Sequence, residues 1–158
     1  MQPSWLPPNL KFEIDDANQT WTWPDNTFDY IHMRAMFGSI VDWNALAREA
    51  FRCCKPGGYF EDYENSIKMD CDDGSIPPGS PMDEWGKVFW EAGKKFGRTF
   101  RVVEDDVQRK CMEDAGFVDV QMWEHKVSAA ASIFAWRVSF DALSVDGVTD
   151  RCPFCSVL

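Results

Sequence analysis

The chain has 158 residues, the size of one domain with room for a substantial core. Its hydrophobic content of 45% and aromatic content of 15% indicate a globular protein rather than a disordered one. The formal net charge of −10 and the lack of a Lys/Arg cluster argue against nucleic-acid binding. The sequence has no run of about 18 apolar residues, so no membrane span is expected.

The first predicted element is a strand at residues 10–14, where the letters LKFEI alternate apolar and charged side chains. Two carboxylates and a small residue follow it: Asp15, Asp16 and Ala17. The next stretch, TWTWPDN, is a loop with a turn signal. A second strand, FDYI, then ends in a polar tip formed by His32, Met33 and Arg34. Because ligands of open α/β sheets sit beyond the carboxyl ends of the strands, these polar ends predict a ligand site.

A helix is predicted after Asp42, which is a good N-cap residue. Its apolar side chains fall on one helix face: Trp43, Leu46, Ala47, Ala50, Phe51 and Cys54. The helix ends at the letters KPGG, because proline stops it and glycine accepts a left-handed backbone. A third strand is predicted around Tyr59, Phe60 and Tyr63.

Two further helices and a fourth strand are predicted after a surface loop at residues 70–81. The letters SPMD start the first helix with a capping hydroxyl, a first-turn proline and an acid. Glycines at positions 86 and 93 each weaken that helix by about 1 kcal/mol against alanine, unless close packing requires them. Asp105 or Asp106 caps the second helix, and Gly116 ends it. Residues 117–122 alternate again as a strand.

This order of elements predicts an α/β fold with a mainly parallel sheet. A narrower resemblance rests on the runs PSWLPPNLKFEIDDANQTWTWPDNTFDYIHMRAMFGSIVDW, CCKPGGYFE and KKFGRTFRVVEDD. Together they resemble the class I S-adenosylmethionine-dependent methyltransferases. They are most similar to the fungal methyltransferase-domain proteins that include velvet-complex regulators of secondary metabolism. The resemblance implies a partial methyltransferase domain at residues 1–127 and a divergent C-terminal tail at residues 128–158.

The resemblance also implies S-adenosyl-L-methionine as the cofactor and a set of residues that contact it. Asp16 matches the acid that receives the adenine amino group, and Ala17 matches the neighbour whose backbone N–H faces the ring. Trp21 is expected to flank the adenine. The strand tip beside the methionine part of the cofactor corresponds to His32, Met33 and Arg34. No catalytic residue is assigned, because methyl transfer from a sulfonium needs an aligned nucleophile and often no protein base.

Each of these side chains also has a purely structural interpretation. Asp16 would belong to a solvated turn, and Trp21 and Trp23 would be loop anchors that pack on the sheet. His32 and Arg34 would satisfy each other or nearby carbonyl groups. The residues alone leave both interpretations open.

The sequence departs from the family pattern at its start. Such enzymes have a glycine-rich turn after their first strand and a ribose-binding acid after their second; both would precede Met1, and the sequence has no GxGxG-type turn. We therefore expect an N-terminally truncated chain with a partial Rossmann-like methyltransferase sheet that lacks its first two strands. We also expect the chain alone to bind the cofactor weakly or not at all.

Two functions remain open from the sequence. The first is an S-adenosylmethionine-dependent methyltransferase of fungal secondary metabolism, or a truncated relative of one, with a small-molecule substrate. The second is a catalytically inactive methyltransferase-like module that binds a regulatory protein partner.

The six cysteines are predicted to be free thiols, because Cys53 and Cys54 are adjacent and no secretory signal begins the chain. This predicts a cytoplasmic or nuclear protein. The letters CPFC at residues 152–155 have no further ligands nearby in the sequence, so no metal site is expected. The final CSVL has the C-a-a-X form, but serine is not aliphatic and no polybasic stretch precedes it, so prenylation is not expected.

Overall fold

A computed structural model of the chain describes residues 7–126. Within that range five elements follow in chain order: β1 (Phe28–Arg34), α1 (Trp43–Cys53), β2 (Cys54–Tyr63), α2 (Pro81–Phe96) and α3 (Val107–Ala115). The two strands pair in parallel, as predicted, and the described residues form a partial Rossmann-like α/β fold. The predicted C-terminal tail, the CPFC letters and the C-a-a-X letters lie outside the described residues.

Helix α1 connects the two parallel strands and contributes one full face to the core. The side chain of Asp42 caps the helix by accepting the backbone N–H of Ala45 at 2.9 Å, which confirms the predicted start. Four residues of the predicted apolar face are buried within the helix, Trp43, Leu46, Ala47 and Ala50, and Cys53 is buried beside them. The predicted end of the helix at the letters KPGG is wrong, because the helix ends at Cys53 and these letters lie within β2. Burying this face against β2 and α3 fixes the position of the crossover beside the sheet.

Aromatic rings join α1, β2 and the segment after α3. The ring of Phe117 lies 5.2 Å from that of Phe51 on α1, edge to face, and 5.4 Å from that of Phe60 on β2. Phe60 and Phe117 are buried, whereas Phe51 is half-buried. This three-ring contact closes one face of the sheet.

Helix α2 buries its glycines, whereas several of its large apolar side chains, such as Phe96, are exposed. Ser80 caps it, as predicted, by accepting the backbone N–H of Asp83. Gly86 and Gly93 are its buried residues, and a Cβ at Gly93 would lie 2.4 Å from the backbone oxygen of Arg98. The close packing therefore accounts for both glycines, which is the exception that the sequence analysis allowed for.

Two of the predicted strands are wrong. Residues 10–14 are extended but belong to no sheet, and Ile14 is fully exposed, because no neighbouring strand among the described residues supplies a hydrogen-bonded ladder. Residues 117–122 are irregular, and Asp119 has a left-handed backbone with φ of 56° that a strand cannot contain. The predicted side-chain cap of α3 is also wrong, since Asp106 is itself left-handed and makes no capping bond.

Two smaller predictions concern membranes and thiols. Among the described residues, no helix has the length and apolar character needed to cross a bilayer. The described cysteines are free thiols, which confirms the prediction for Cys53, Cys54, Cys71 and Cys111.

Candidate functional site

An open pocket of about 350 Å³ lies between β1, the acidic turn (residues 15–17) and the tryptophan loop (residues 20–26). Its volume falls in the range of small-molecule sites, roughly 300–1,000 Å³. Five residues predicted to contact a cofactor line it: Asp16, Ala17, Trp21, His32 and Met33. Arg34, the sixth, does not line the pocket; it lies at the end of β1 opposite Tyr63.

The acidic turn is held in shape by Asn18. Oδ1 of Asp16 accepts the backbone N–H of Asn18 at 3.0 Å and its side-chain amide at 3.2 Å. These hydrogen bonds lower the pKa of Asp16, the backbone bond most, so its carboxylate stays ionised at neutral pH. Asn18 also donates to the carbonyl oxygen of Ser39 and accepts the backbone N–H of Val41. The turn is thereby tied to the loop that leads into α1.

The tryptophan loop is fastened to α1 by two residues that the sequence analysis did not identify. Glu49 accepts the backbone N–H of Trp21 at 2.9 Å. Arg52 donates to the carbonyl oxygen of Trp21 at 3.0 Å and to that of Trp23 at 2.9 Å. Glu49 and Arg52 also pair with each other at 2.7 Å, and this hydrogen bond lowers the pKa of Glu49. Their i,i+3 spacing could have predicted the ion pair, but not its contact with the loop.

The rings of the loop form one wall of the pocket. Trp21 and Trp23 lie edge to face with centroids 5.7 Å apart, and Trp23 contacts Phe28 in the same way at 5.3 Å. The tryptophans therefore act as packing anchors, which one sequence-based interpretation predicted, and they line the pocket at the same time.

The polar tip of β1 pairs with the neighbouring strand rather than with itself. His32 donates through Nδ1 to Oε2 of Glu61 at 2.7 Å, and the hydroxyl of Tyr30 donates to the same oxygen. The ring of Tyr30 stacks on that of His32 at 6.3 Å. The expectation that His32 and Arg34 satisfy each other is wrong, because the parallel register places Glu61 directly opposite His32.

The chemical character of the pocket follows from its lining. Three acidic residues, Glu13, Asp15 and Asp16, share it with aromatic rings and with Met33, and no lysine or arginine lines it. Such a surface suits a ligand that combines an aromatic ring, hydrogen-bond donors and positive charge.

A family model described as "Methyltransferase domain" matches residues 2–122. The chain is 35% identical over 127 residues to "Methyltransferase pytC" of Aspergillus terreus, which covers 80% of this chain and 38% of that protein. It is 32% identical over 123 residues to "Secondary metabolism regulator LAE1" of Cochliobolus heterostrophus, covering 77% of this chain and 39% of that protein. The chain thus spans about two fifths of the length of these relatives.

Solved structures agree at the level of the fold. An S-adenosylmethionine-dependent methyltransferase from Mesorhizobium loti superposes with a TM-score of 0.52 at 19% identity, covering 87% of this chain and 70% of that chain. A second one, from Thermotoga maritima, gives a TM-score of 0.50 at 16% identity, with 82% and 56% covered.

Proposed function

The chain belongs to the methyltransferase-domain family, and on this basis we propose that it holds the adenine and methionine ends of S-adenosyl-L-methionine in a methyltransferase of fungal secondary metabolism. The observation that carries the proposal is the pocket itself. It collects five of the six residues that the resemblance assigns to the cofactor, although they come from separate parts of the chain.

At the adenine end, Asp16 would accept the exocyclic amino group. Its pKa is lowered by the Asn18 hydrogen bonds, so the carboxylate is an acceptor only, which suits an amine donor. Ala17 would present its backbone N–H to the ring, and Trp21 would lie against it. The Glu49–Arg52 pair supports this arrangement by fixing the backbone of the tryptophan loop.

At the methionine end, His32 and Met33 would border the cofactor. His32 is oriented by Glu61, and Met33 supplies an apolar surface. The acidic lining complements the positive charges of the cofactor's sulfonium and ammonium groups.

The cofactor, when bound, supplies an electrophilic methyl group on a sulfonium. The residues described here bind and orient it and keep its aromatic ring out of water. Transfer then depends on the alignment of an incoming nucleophile, which we propose belongs to a small-molecule substrate.

A regulatory partner is the alternative occupant of this surface, and the relative from Cochliobolus heterostrophus is named as a regulator. We favour methyl transfer over an inactive interaction module, because the methyltransferase-domain model matches residues 2–122 and the pytC relative is named a methyltransferase.

Calorimetric titration with S-adenosylmethionine tests the proposal. We expect weak or no binding by the 158-residue chain, because its sequence has no glycine-rich turn to hold the middle of the ligand. A chimera in which the chain replaces the matching segment of the pytC relative should bind. In that chimera Asp16→Ala should weaken binding by about tenfold or more, as expected for one charged acceptor.

Two variants control this titration. Asp16→Asn keeps an oxygen for Asn18 but removes the charge, so it should weaken binding while leaving the turn intact. Glu91→Ala removes an exposed acid on α2 and should leave affinity unchanged. Unchanged affinity in both Asp16 variants would overturn the residue assignment, and a chimera that does not bind would overturn the cofactor assignment.

A further inference from the structure

Two buried carboxyl groups, those of Asp62 and Glu64, lie at the end of β2, next to the polar tip of β1. Asp62 is 1% exposed and Glu64 is fully buried. Among the described residues, no lysine, arginine or histidine forms an ion pair with either group. An unpaired buried carboxylate is costly, so this pair requires an explanation.

Each carboxyl group holds a different part of the structure. Glu64 accepts the backbone N–H of Met36 through Oε1 at 2.6 Å and that of Phe37 through Oε2 at 3.0 Å. Asp62 accepts the side-chain amide of Gln108 on α3 at 3.1 Å. The pair therefore links the turn after β1 to α3 through the end of β2.

The turn that Glu64 holds has a strained backbone. Ala35 lies in the left-handed region with φ of 56°, an uncommon conformation for a residue with a Cβ. Its N–H donates to the carbonyl oxygen of Tyr63 at 2.9 Å. Ala35 directly follows Arg34, so the turn that Glu64 holds is continuous with the strand tip beside the pocket.

The surroundings favour protonation of the pair. Burial raises the pKa of Asp62 well above its usual value, and the charge of Glu64 raises it further. Burial raises the pKa of Glu64 to about 7, against the opposing effect of the two backbone N–H groups. The other titratable groups that face the pair are Glu61 on β2 and Cys111 on α3, whose thiol pKa is raised to about 12 by burial.

We propose that Asp62 and Glu64 form a proton-operated latch, which holds the turn at Met36 and Phe37, and with it the strand tip at the pocket, while the pair carries a proton. The latch loosens when both carboxyl groups ionise, because two adjacent negative charges are then buried without a cation. Its existence does not depend on methyl transfer; only its consequence for the cofactor pocket rests on the proposed function.

The direction follows from proton linkage. Both groups have a higher pKa in the closed latch than in an open, solvated one, so protonation stabilises the closed form. Opening releases protons once the pH exceeds the ordinary values of 3.8 for Asp62 and 4.5 for Glu64. For Glu64 this effect is complete by about pH 7, and the raised pKa of Asp62 acts in the same direction. Each released proton makes opening about tenfold easier per pH unit.

Amide hydrogen exchange by NMR on the 158-residue chain tests the latch directly. The protection factors of the Met36 and Phe37 amides should fall by about tenfold or more per pH unit between pH 5 and pH 7. The amide of Ala50, inside α1, should show a larger protection factor at each pH, because it exchanges only through global unfolding, which costs more free energy than opening the latch.

Asp62→Asn is the decisive variant. Asparagine is permanently neutral and can still accept the Gln108 amide, so it removes one proton from the opening step and flattens the slope by about tenfold per pH unit. The matched control, Asp29→Asn, changes an exposed acid on β1 and should leave the slope unchanged.

Three outcomes would overturn the latch. They are a flat wild-type profile at Met36 and Phe37, protection factors at these amides equal to that of Ala50 at every pH, and an unchanged slope in Asp62→Asn. If Asp62→Asn fails to fold, the wild-type profile still decides between the first two outcomes and the latch.

Discussion

The aromatic contact between α1, β2 and the segment after α3 gives a quantitative prediction for Phe51→Ala. A fully buried phenylalanine changed to alanine costs about 3–5 kcal/mol. Phe51 is half-buried, so the apolar area lost is smaller, but its edge-to-face contact with Phe117 at 5.2 Å is lost as well. We therefore expect a loss of about 2–3 kcal/mol in the free energy of unfolding.

Urea denaturation followed by circular dichroism measures this loss. The matched control is Phe96→Ala on α2, because Phe96 is 76% exposed and its removal should cost under about 0.5 kcal/mol. A double-mutant cycle between Phe51 and Phe117 should give a coupling energy of about 0.5–1.5 kcal/mol. A loss below about 1 kcal/mol for Phe51→Ala, or no coupling, would refute the packing of α1 on the segment after α3.

Two further variants test contacts that only the structure reveals. Arg52→Met removes the hydrogen bonds to the carbonyl oxygens of Trp21 and Trp23 and to the carboxylate of Asp25, so the tryptophan fluorescence should shift to the red as the loop gains access to water. Arg52→Lys should shift it less. Emission identical to wild type in Arg52→Met would contradict the attachment of the loop to α1. Gly93→Ala should destabilise the chain more than Gly86→Ala in the same urea assay. The Cβ added at position 93 would lie 2.4 Å from the backbone oxygen of Arg98, whereas the Cβ added at position 86 would lie 3.3 Å from the Cα of Lys68. The reverse order of stability would contradict the close packing of these glycines.

The sequence by itself determined the helices and the crossover between the strands. The start of α1 is set by Asp42, three residues from the N–H that it caps, and the start of α2 is set in the same way by Ser80. Such signals act within one helical turn, so a linear sequence contains all of their parts. The polar end of β1 and the acidic turn that line the pocket were predictable for the same reason, since in each case polar residues directly follow apolar ones.

Only the tertiary structure decided which segments became strands. Residues 10–14 have the alternation of a strand, but a strand exists only where a neighbour completes its ladder, and residues far along the chain determine that neighbour. Residues 117–122 follow the same pattern until the left-handed Asp119 breaks it. Alternation reports which side chains prefer burial and gives no information on pairing.

Only the tertiary structure also decided what surrounds the pocket. Glu61 lies 29 residues after His32 and is brought opposite it by the parallel register. Glu49 and Glu64 each reach a backbone N–H 27 or 28 residues earlier in the chain. A carboxylate in a sequence has many possible partners at such separations, and the packing of α1 and β2 selects one of them. The residues that line the pocket can thus be identified from the sequence, whereas the contacts that hold them in place depend on the fold.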